Sequence, residues 1–425
     1  MGRRPDDRDI LGGTASSDAR EILGSLAPEN PMNARKNQET LSHAPLSSRT
    51  VETHGLARSR RVLTDELVLG DEVMAKSTSH RQLRRVDGMI GLADVARAAD
   101  VSIATVSRVV NGTGKVGPEI RQRVQTACAK IGYVPNGAAR ALSSRRTNAI
   151  GAVVPAIENS GFAAAIAALQ KRIEQAGYTL LLANSGYDQE AELRAVTALL
   201  TQGVDGLVLV GNRHDARLVP MLERMNTVFV ETWTLAGDRP CVGFDNEKAA
   251  GQVVDYLVSL GHSSISTITG RTHFNDRAAK RVAGIEASLK RRGLKLHSEL
   301  VVEHPFRIMD GRLAMRSILG STDRPTAVVC GNDQLAFGAI IEATAANVDV
   351  PSEISITGFN DVDYAAHLSP PLTTMRVPVE QIGTMAGDYI VRRLMGEPII
   401  PMAEVDVGLI VRGSTAPPPA RRRDS

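Results

Sequence analysis

The sequence predicts an α/β protein in which a small helical domain precedes two doubly wound lobes with parallel sheets. Three observations predict it. Leu92–Asn111, LADVARAADVSIATVSRVVN, reads as two short amphipathic helices joined by a tight turn. From Thr147 onward, short β-branched apolar runs alternate with amphipathic segments long enough for crossover helices. Positive charge is unevenly spread: residues 89–150 carry nine Lys+Arg against three Asp+Glu, while residues 1–88 carry 14 against 13 and residues 151–425 carry 27 against 31. A chain of 425 residues has a prior of about three domains and can bury a sizeable core.

Residues 1–88 are rich in Ser, Arg, Asn and Asp without a sustained apolar period, so they are expected to be mostly disordered, with a short helix around Leu63–Val73. In the helical domain Val95, Ala96 and Ala99 share one stripe, and Val106 and Val109 form the inward side of a second helix. Ser102 stands where an N-cap belongs, its hydroxyl able to satisfy an orphan N–H. Ile103, Ala104, Ser107 and Arg108 fall opposite the two valines, giving a face of small side chains and one guanidinium that fits a major groove. Gly117-Pro118 opens a third helix, in which Ile120, Val124, Ala127, Cys128 and Ile131 recur at helical spacing to close the small core; Gly132 ends it.

The ordered motifs Asp94-Val95-Ala96, Val101-Ser102, Thr105-Val106-Ser107-Arg108-Val109-Val110-Asn111 and Gly132-Tyr133-Val134-Pro135-Asn136 resemble the N-terminal module of the LacI/GalR family of bacterial transcription regulators. The likeness continues over residues 89–415. It implies a helix-turn-helix DNA-binding domain at 89–135, a hinge helix and linker at 136–147, and a two-lobed effector-binding and dimerisation domain of periplasmic-binding-protein type at 148–415, with 416–425 a disordered tail. On operator DNA, Ser102, Thr105, Ser107, Arg108 and Asn111 would position the second helix or contact phosphates, with Ile103 and Ala104 at the base-reading positions. Asn136, Ala139 and Leu142 would act from the hinge, the leucine wedged into the minor groove. In this part of the sequence the chain departs from the family in three places: Asp100 holds a turn position that is commonly Gly, Gly117 replaces a Ser or Thr cap, and family members begin near the first helix. The extension is therefore either a true tail or an upstream start assigned in error, with Met74 or Met89 the initiator.

The apolar runs AIGAVV, YTLLLA, GLVLVG, TVFVE, SISTIT, TAVVC and ISITG place one lobe at 148–246 and the other at 247–375. The resemblance implies that the chain then crosses back through both. Ligands in such folds sit beyond the carboxyl ends of strands, here in the cleft between lobes. That singles out Asn159 and Phe162, Ser185 and Tyr187, Asn212 and Arg213, Glu231 and Trp233, and Asp245 in GFDN. In the second lobe it singles out Asn332-Asp333 in GNDQLAFG and Asn360-Asp361 in GFND, and Arg281 in RVAGI matches the family's effector-binding arginine. Plainer roles compete: Trp233 as core, Asp333 and Asp361 as helix caps, and His214 as a surface residue with no partner in the local sequence. Asn360 stands where the family often has Asp.

The function expected is a DNA-binding regulator, a repressor acting as a homodimer or tetramer on a palindromic operator, whose affinity an effector controls. ANSGYDQEAE, VETW, GFDN and NDRAAKRVAG are similar to the gluconate-utilisation repressors of the family, and Arg281 with Arg213 would suit an acid sugar; a neutral or phosphorylated sugar stays open. A sugar-binding protein of the periplasmic type without a regulatory role would share the lobes but needs a secretion signal, and MGRRPDDRDILGG lacks one. An enzyme is not expected, because GxxxxGK[ST], GxSxG, HExxH and a GxGxxG after a strand are all missing. Cys128, Cys241 and Cys330 are too scattered for a disulfide framework or a metal site. No cofactor, metal or membrane partner is expected, and the location expected is the cytoplasm.

Overall fold

A computed structural model describes residues 90–135, 137, 146–235 and 238–420. The expectations for residues 1–88 and for Asn136, Ala139 and Leu142 lie outside the described residues.

Helix α1 (Leu92–Ala99) begins where the Asp94 carboxylate accepts from the Gly91 N–H at 2.9 Å. It ends at Asp100, whose φ of 51° is left-handed, a conformation that Asp tolerates better than most side chains. Arg123 closes that end by donating to the carbonyls of Ala99 at 2.6 Å and Asp100 at 3.1 Å. Helix α2 (Ile103–Val110) is capped by Ser102, whose Oγ accepts from the Thr105 N–H at 3.1 Å. Helix α3 (Pro118–Ile131) starts on proline and stops at left-handed Gly132. Val95, Ala96, Ala99, Val106, Val109, Val124 and Ala127 form the buried core, as the periodicity predicts. Ile120 does not join it and is 36% exposed. Two helices of eight residues are each only about 12 Å long, too short to cover α3 along its whole length.

The first lobe is a six-stranded parallel sheet with strand order β11-β5-β4-β3-β1-β2. Its strands are β1 (Ala149–Val154), β2 (Thr179–Asn184), β3 (Gly206–Val210), β4 (Val228–Thr232), β5 (Cys241–Gly243) and β11 (Met402–Glu404). Helices α4 (Ser160–Glu174), α5 (Gln189–Thr201) and α6 (Leu218–Arg224) connect them. The second sheet has the order β12-β10-β9-β8-β6-β7 and is parallel except for the β10–β12 pair. It contains β6 (Ile265–Thr269), β7 (Val301–Glu303), β8 (Ala327–Cys330), β9 (Ser355–Asn360), β10 (Thr373–Arg376) and β12 (Gly408–Ile410). Helices α7 (Asn246–Ser259), α8 (Asp276–Arg291), α9 (Ile308–Leu319) and α10 (Asp333–Ala345) flank this sheet.

After β10 the chain returns to the first lobe as α11 (Val379–Leu394), adds β11 there, then ends in the second lobe with β12. Helix α11 lies directly on α4: a Cβ on Gly383 would sit 2.1 Å from the Ala165 carbonyl oxygen, so only glycine permits the approach. Strand β2 differs from the expected buried strand. It is the edge of its sheet, and Thr179 and Leu182 are exposed. The chain expected to fray after 415 is still engaged at Ala416, whose N–H donates to Ser355 Oγ at 3.0 Å and whose carbonyl accepts from His262 Nε2 at 2.9 Å.

Candidate effector cleft and nucleic-acid interface

The exposed side of α2 presents Ile103, 53% exposed, beside Ala104 and Arg108. Its hydroxyls are paired locally: Ser102 Oγ with Thr105 Oγ1 at 2.8 Å, and Asn111 Nδ2 donating to Ser107 Oγ at 3.2 Å. These bonds hold the caps of α2 and leave the apolar pair and the guanidinium outward. Such a face is chemically suited to apolar contact with thymine methyl groups and to pairing with phosphate, and it offers little of the hydrogen-bond code of base edges.

Between the lobes, Asn159, Gly161, Phe162, Tyr187, Trp233, Asn275, Arg277, Ala278, Arg281, Phe306, Gly331, Asn332 and Asn360 line one cavity. Seven of the ten residues expected in the effector site are therefore brought together. Strand ends supply most of them, in backbone conformations that side chains seldom adopt: φ is 62° at Tyr187, 61° at Trp233 and 114° at Asn360. Strain of this kind persists where the surrounding structure fixes a functional geometry. Trp233 serves both roles considered for it, since it lines the cavity and meets Phe162 edge-on at 4.8 Å within the core.

Arg281 is the centre of the site. Its Nε donates to Asn246 Oδ1 at 2.9 Å, one terminal nitrogen donates to the Gly331 carbonyl at 2.6 Å, and its guanidinium carbon lies 3.8 Å from the centre of the Phe359 ring. None of these partners carries charge. Burial, and secondarily the neighbouring Arg277, lowers the Arg281 pKa to about 9, which still leaves the group cationic at neutral pH. Arg277 is one helical turn earlier on α8, but its charge is met by Asp276 at 3.0 Å.

Three expected site residues do other work. Glu231 is fully buried, with Oε1 held by Arg239 Nε at 2.5 Å and His214 Nε2 at 3.4 Å. Asp245 is exposed and caps α7 through the Glu247 and Lys248 N–H groups. Asp333 is buried beneath the cleft, accepting from Thr374 Oγ1 at 2.6 Å and the Val362 N–H at 2.9 Å. Burial raises its pKa to about 6. Of the other strand-end candidates, Ser185 and Arg213 border a neighbouring crevice with Arg277. Arg213 reaches across the lobes to the His273 carbonyl at 2.8 Å, and the Asn212 N–H to Asp276 at 3.2 Å. Asp361 pairs with Arg376 at 2.6 Å and Arg412 at 2.7 Å. His214 is no surface residue: its side chain is 2% exposed and wedged between Glu192, at 2.9 Å, and Glu231.

Sequence reading missed Asn275, Arg277 and Phe306, and it missed Asn246, which aims Arg281 from one position past Asp245. The i, i+4 spacing of Arg277 and Arg281 on one helix was the available signal.

This geometry agrees with comparison to known proteins. The family described as bacterial regulatory proteins, lacI family, matches residues 91–136, and the periplasmic binding proteins and sugar binding domain of LacI family matches residues 147–400. The chain belongs to the LacI family. Among its LacI-family relatives, the HTH-type transcriptional repressor PurR of Escherichia fergusonii is 33% identical over 338 residues, 78% of this chain and 99% of that protein. Catabolite control protein A of Priestia megaterium is 32% identical over 295 residues, 69% and 89% of the two chains. The lac repressor dimer bound to operator and the anti-inducer ONPF superposes with a TM-score of 0.69 at 28% identity, covering 77% of this chain and 99% of that one. Like these LacI-family regulators the chain is a DNA-binding transcription regulator with an effector-binding domain, and not an enzyme. The match at 91–136 sets aside a purely sugar-binding role.

Proposed function

We propose that the chain is a cytoplasmic repressor that binds a palindromic operator as a homodimer and is controlled by a small sugar acid, gluconate or a close analogue, held between its lobes. The observation that carries the acid is Arg281, a buried guanidinium in the cavity wall with only neutral hydrogen-bond partners. A carboxylate accepts bidentately from such a group, while the asparagine side chains of the cleft bond hydroxyls and Phe162, Trp233 and Phe306 cover the apolar face of the ligand. No described helix is long and apolar enough to cross a membrane.

Calorimetry with gluconate against ribose and galactose tests the effector: heat with gluconate alone supports it, and silence with gluconate overturns it. A DNA shift assay on the upstream region of the gene tests the regulator, which must give a sequence-specific complex at physiological salt.

A further inference from the structure

The segment that ties the two lobes is itself held by a buried cluster of charges. After β3 the chain passes through Gly211 at a φ of 84°, where a Cβ would overlap the side chains of Asp276 and Arg277, so only glycine lets the segment lie on the start of α8. From there its outward bonds cross to the second lobe: the Asn212 N–H donates to Asp276 Oδ2 at 3.2 Å, and Arg213 Nη1 donates to the His273 carbonyl at 2.8 Å. Other groups of the segment turn inward. The Asn212 carbonyl accepts from Arg239 Nη2 at 3.0 Å, the Arg213 carbonyl accepts from Gln189 Nε2 at 3.1 Å, and the His214 ring lies between Glu192 Oε2 and Glu231 Oε1.

Arg239 closes that cluster. Its Nε donates to Glu231 Oε1 at 2.5 Å while its Nη2 holds Asn212, so one planar guanidinium spans the buried carboxylate and the backbone of the tie. Glu231 is fully buried and its Oε2 makes no hydrogen bond among the described residues, so its charge is met at Oε1, by Arg239 and His214. Breaking such a pair leaves an uncompensated buried charge, so the cluster fixes its members more firmly than surface ion pairs do. None of Glu192, His214, Glu231 and Arg239 lines the cavity around Arg281. What they fix is the segment 212–214, and with it the bonds that reach α8 and the turn before it.

From this we infer that Arg239 is a positioning residue for effector binding: acting through the segment 212–214, it sets how readily the cleft closes without touching the ligand. X-ray scattering of the full chain without ligand tests this free of any assumption about the effector. Arg239→Met keeps the apolar stem and removes both bonds, and it raises the radius of gyration as Arg213→Ala does. Calorimetry with gluconate is the second readout, and this arm rests on the sugar-acid reading. Each single variant binds roughly fivefold or more weakly, the size of an ordinary coupling between sites. The double variant binds no more weakly than the weaker of the two, because both act through one tie, whereas independent effects would multiply. Wild-type scattering in Arg239→Met, or losses that multiply in the double variant, overturns the inference. Arg239→Lys is read where the methionine variant does not fold. Its point charge stays beside Glu231 but cannot donate to the carboxylate and to Asn212 together, so it opens the protein in the same direction, and wild-type scattering from it overturns the inference. If gluconate is silent with wild type, the gluconate assignment falls and the scattering alone decides the role of Arg239.

Discussion

His214 gives the sharpest test of the electrostatics, because its environment sets both the sign and the size of an effect. Burial alone would lower its pKa, but the hydrogen bond to the Glu192 carboxylate and the Glu231 carboxylate 3.4 Å away outweigh it and raise the value to about 9. The unfolded chain holds the same proton with a pKa of about 6.5. The folded state thus binds the proton more tightly, and a difference of that size is worth about 3 kcal/mol. This stabilisation is fully present below about pH 6.5 and is lost as pH rises toward about 9. Urea denaturation of wild type and His214→Gln across that window checks it. At low pH the variant is less stable by about 3 kcal/mol or more, because it leaves buried carboxylates short of a partner, and the gap narrows on alkalinisation. A gap that stays constant between about pH 6 and pH 9 refutes the assigned protonation.

Other outcomes follow from single contacts. His262 has the opposite sign: burial depresses its pKa, so wild type loses stability as pH falls below about 6.5, and His262→Gln flattens that limb of the denaturation profile. Arg123→Ala uncaps α1 and unpairs two carbonyls, which costs the helix-turn-helix domain about 1–3 kcal/mol in a melting experiment and weakens operator binding with it. Arg213→Ala removes a bond between the lobes without touching the cavity wall, so effector affinity falls several-fold while X-ray scattering reports a more open ligand-free protein. Arg281→Leu abolishes the calorimetric signal of the effector and leaves operator affinity without effector unchanged.

The helix-turn-helix was legible because most of what fixes it is local, namely the Ser102 cap, the left-handed Asp100, and apolar positions at helical spacing, while the Arg123 bonds from α3 were not. The strands of five or six residues were legible for the same reason, as was the short but wholly apolar β8, while β5, β7, β10, β11 and β12, three or four residues each, carry too few apolar side chains to stand out. In the cleft, strand-end logic found the right loops but not the fate of each side chain. Glu231 and Asp333 stand where a ligand contact is expected, yet Glu231 is taken into an ion pair with Arg239 and Asp333 into a hydrogen bond from Thr374. Burial of His214 needed Glu192 from α5 and Glu231 from β4, two elements whose approach no local pattern encodes.

The two halves of the cleft converge on one helix terminus. The first turns of α8 hold Arg277 and Arg281, which face the cavity, and Asp276, which takes the Asn212 N–H from the first lobe. Just before it, Thr272 and His273 offer their carbonyls to Arg213. A ligand seated on the guanidiniums would therefore act on the same segment that ties the lobes through Arg213 and Asn212. Closure and ligand binding must then be favourable to one another by the same free energy. On the proposed reading, in which operator affinity follows the arrangement of the lobes, reciprocity requires that operator DNA shift effector affinity by the factor with which effector shifts operator affinity.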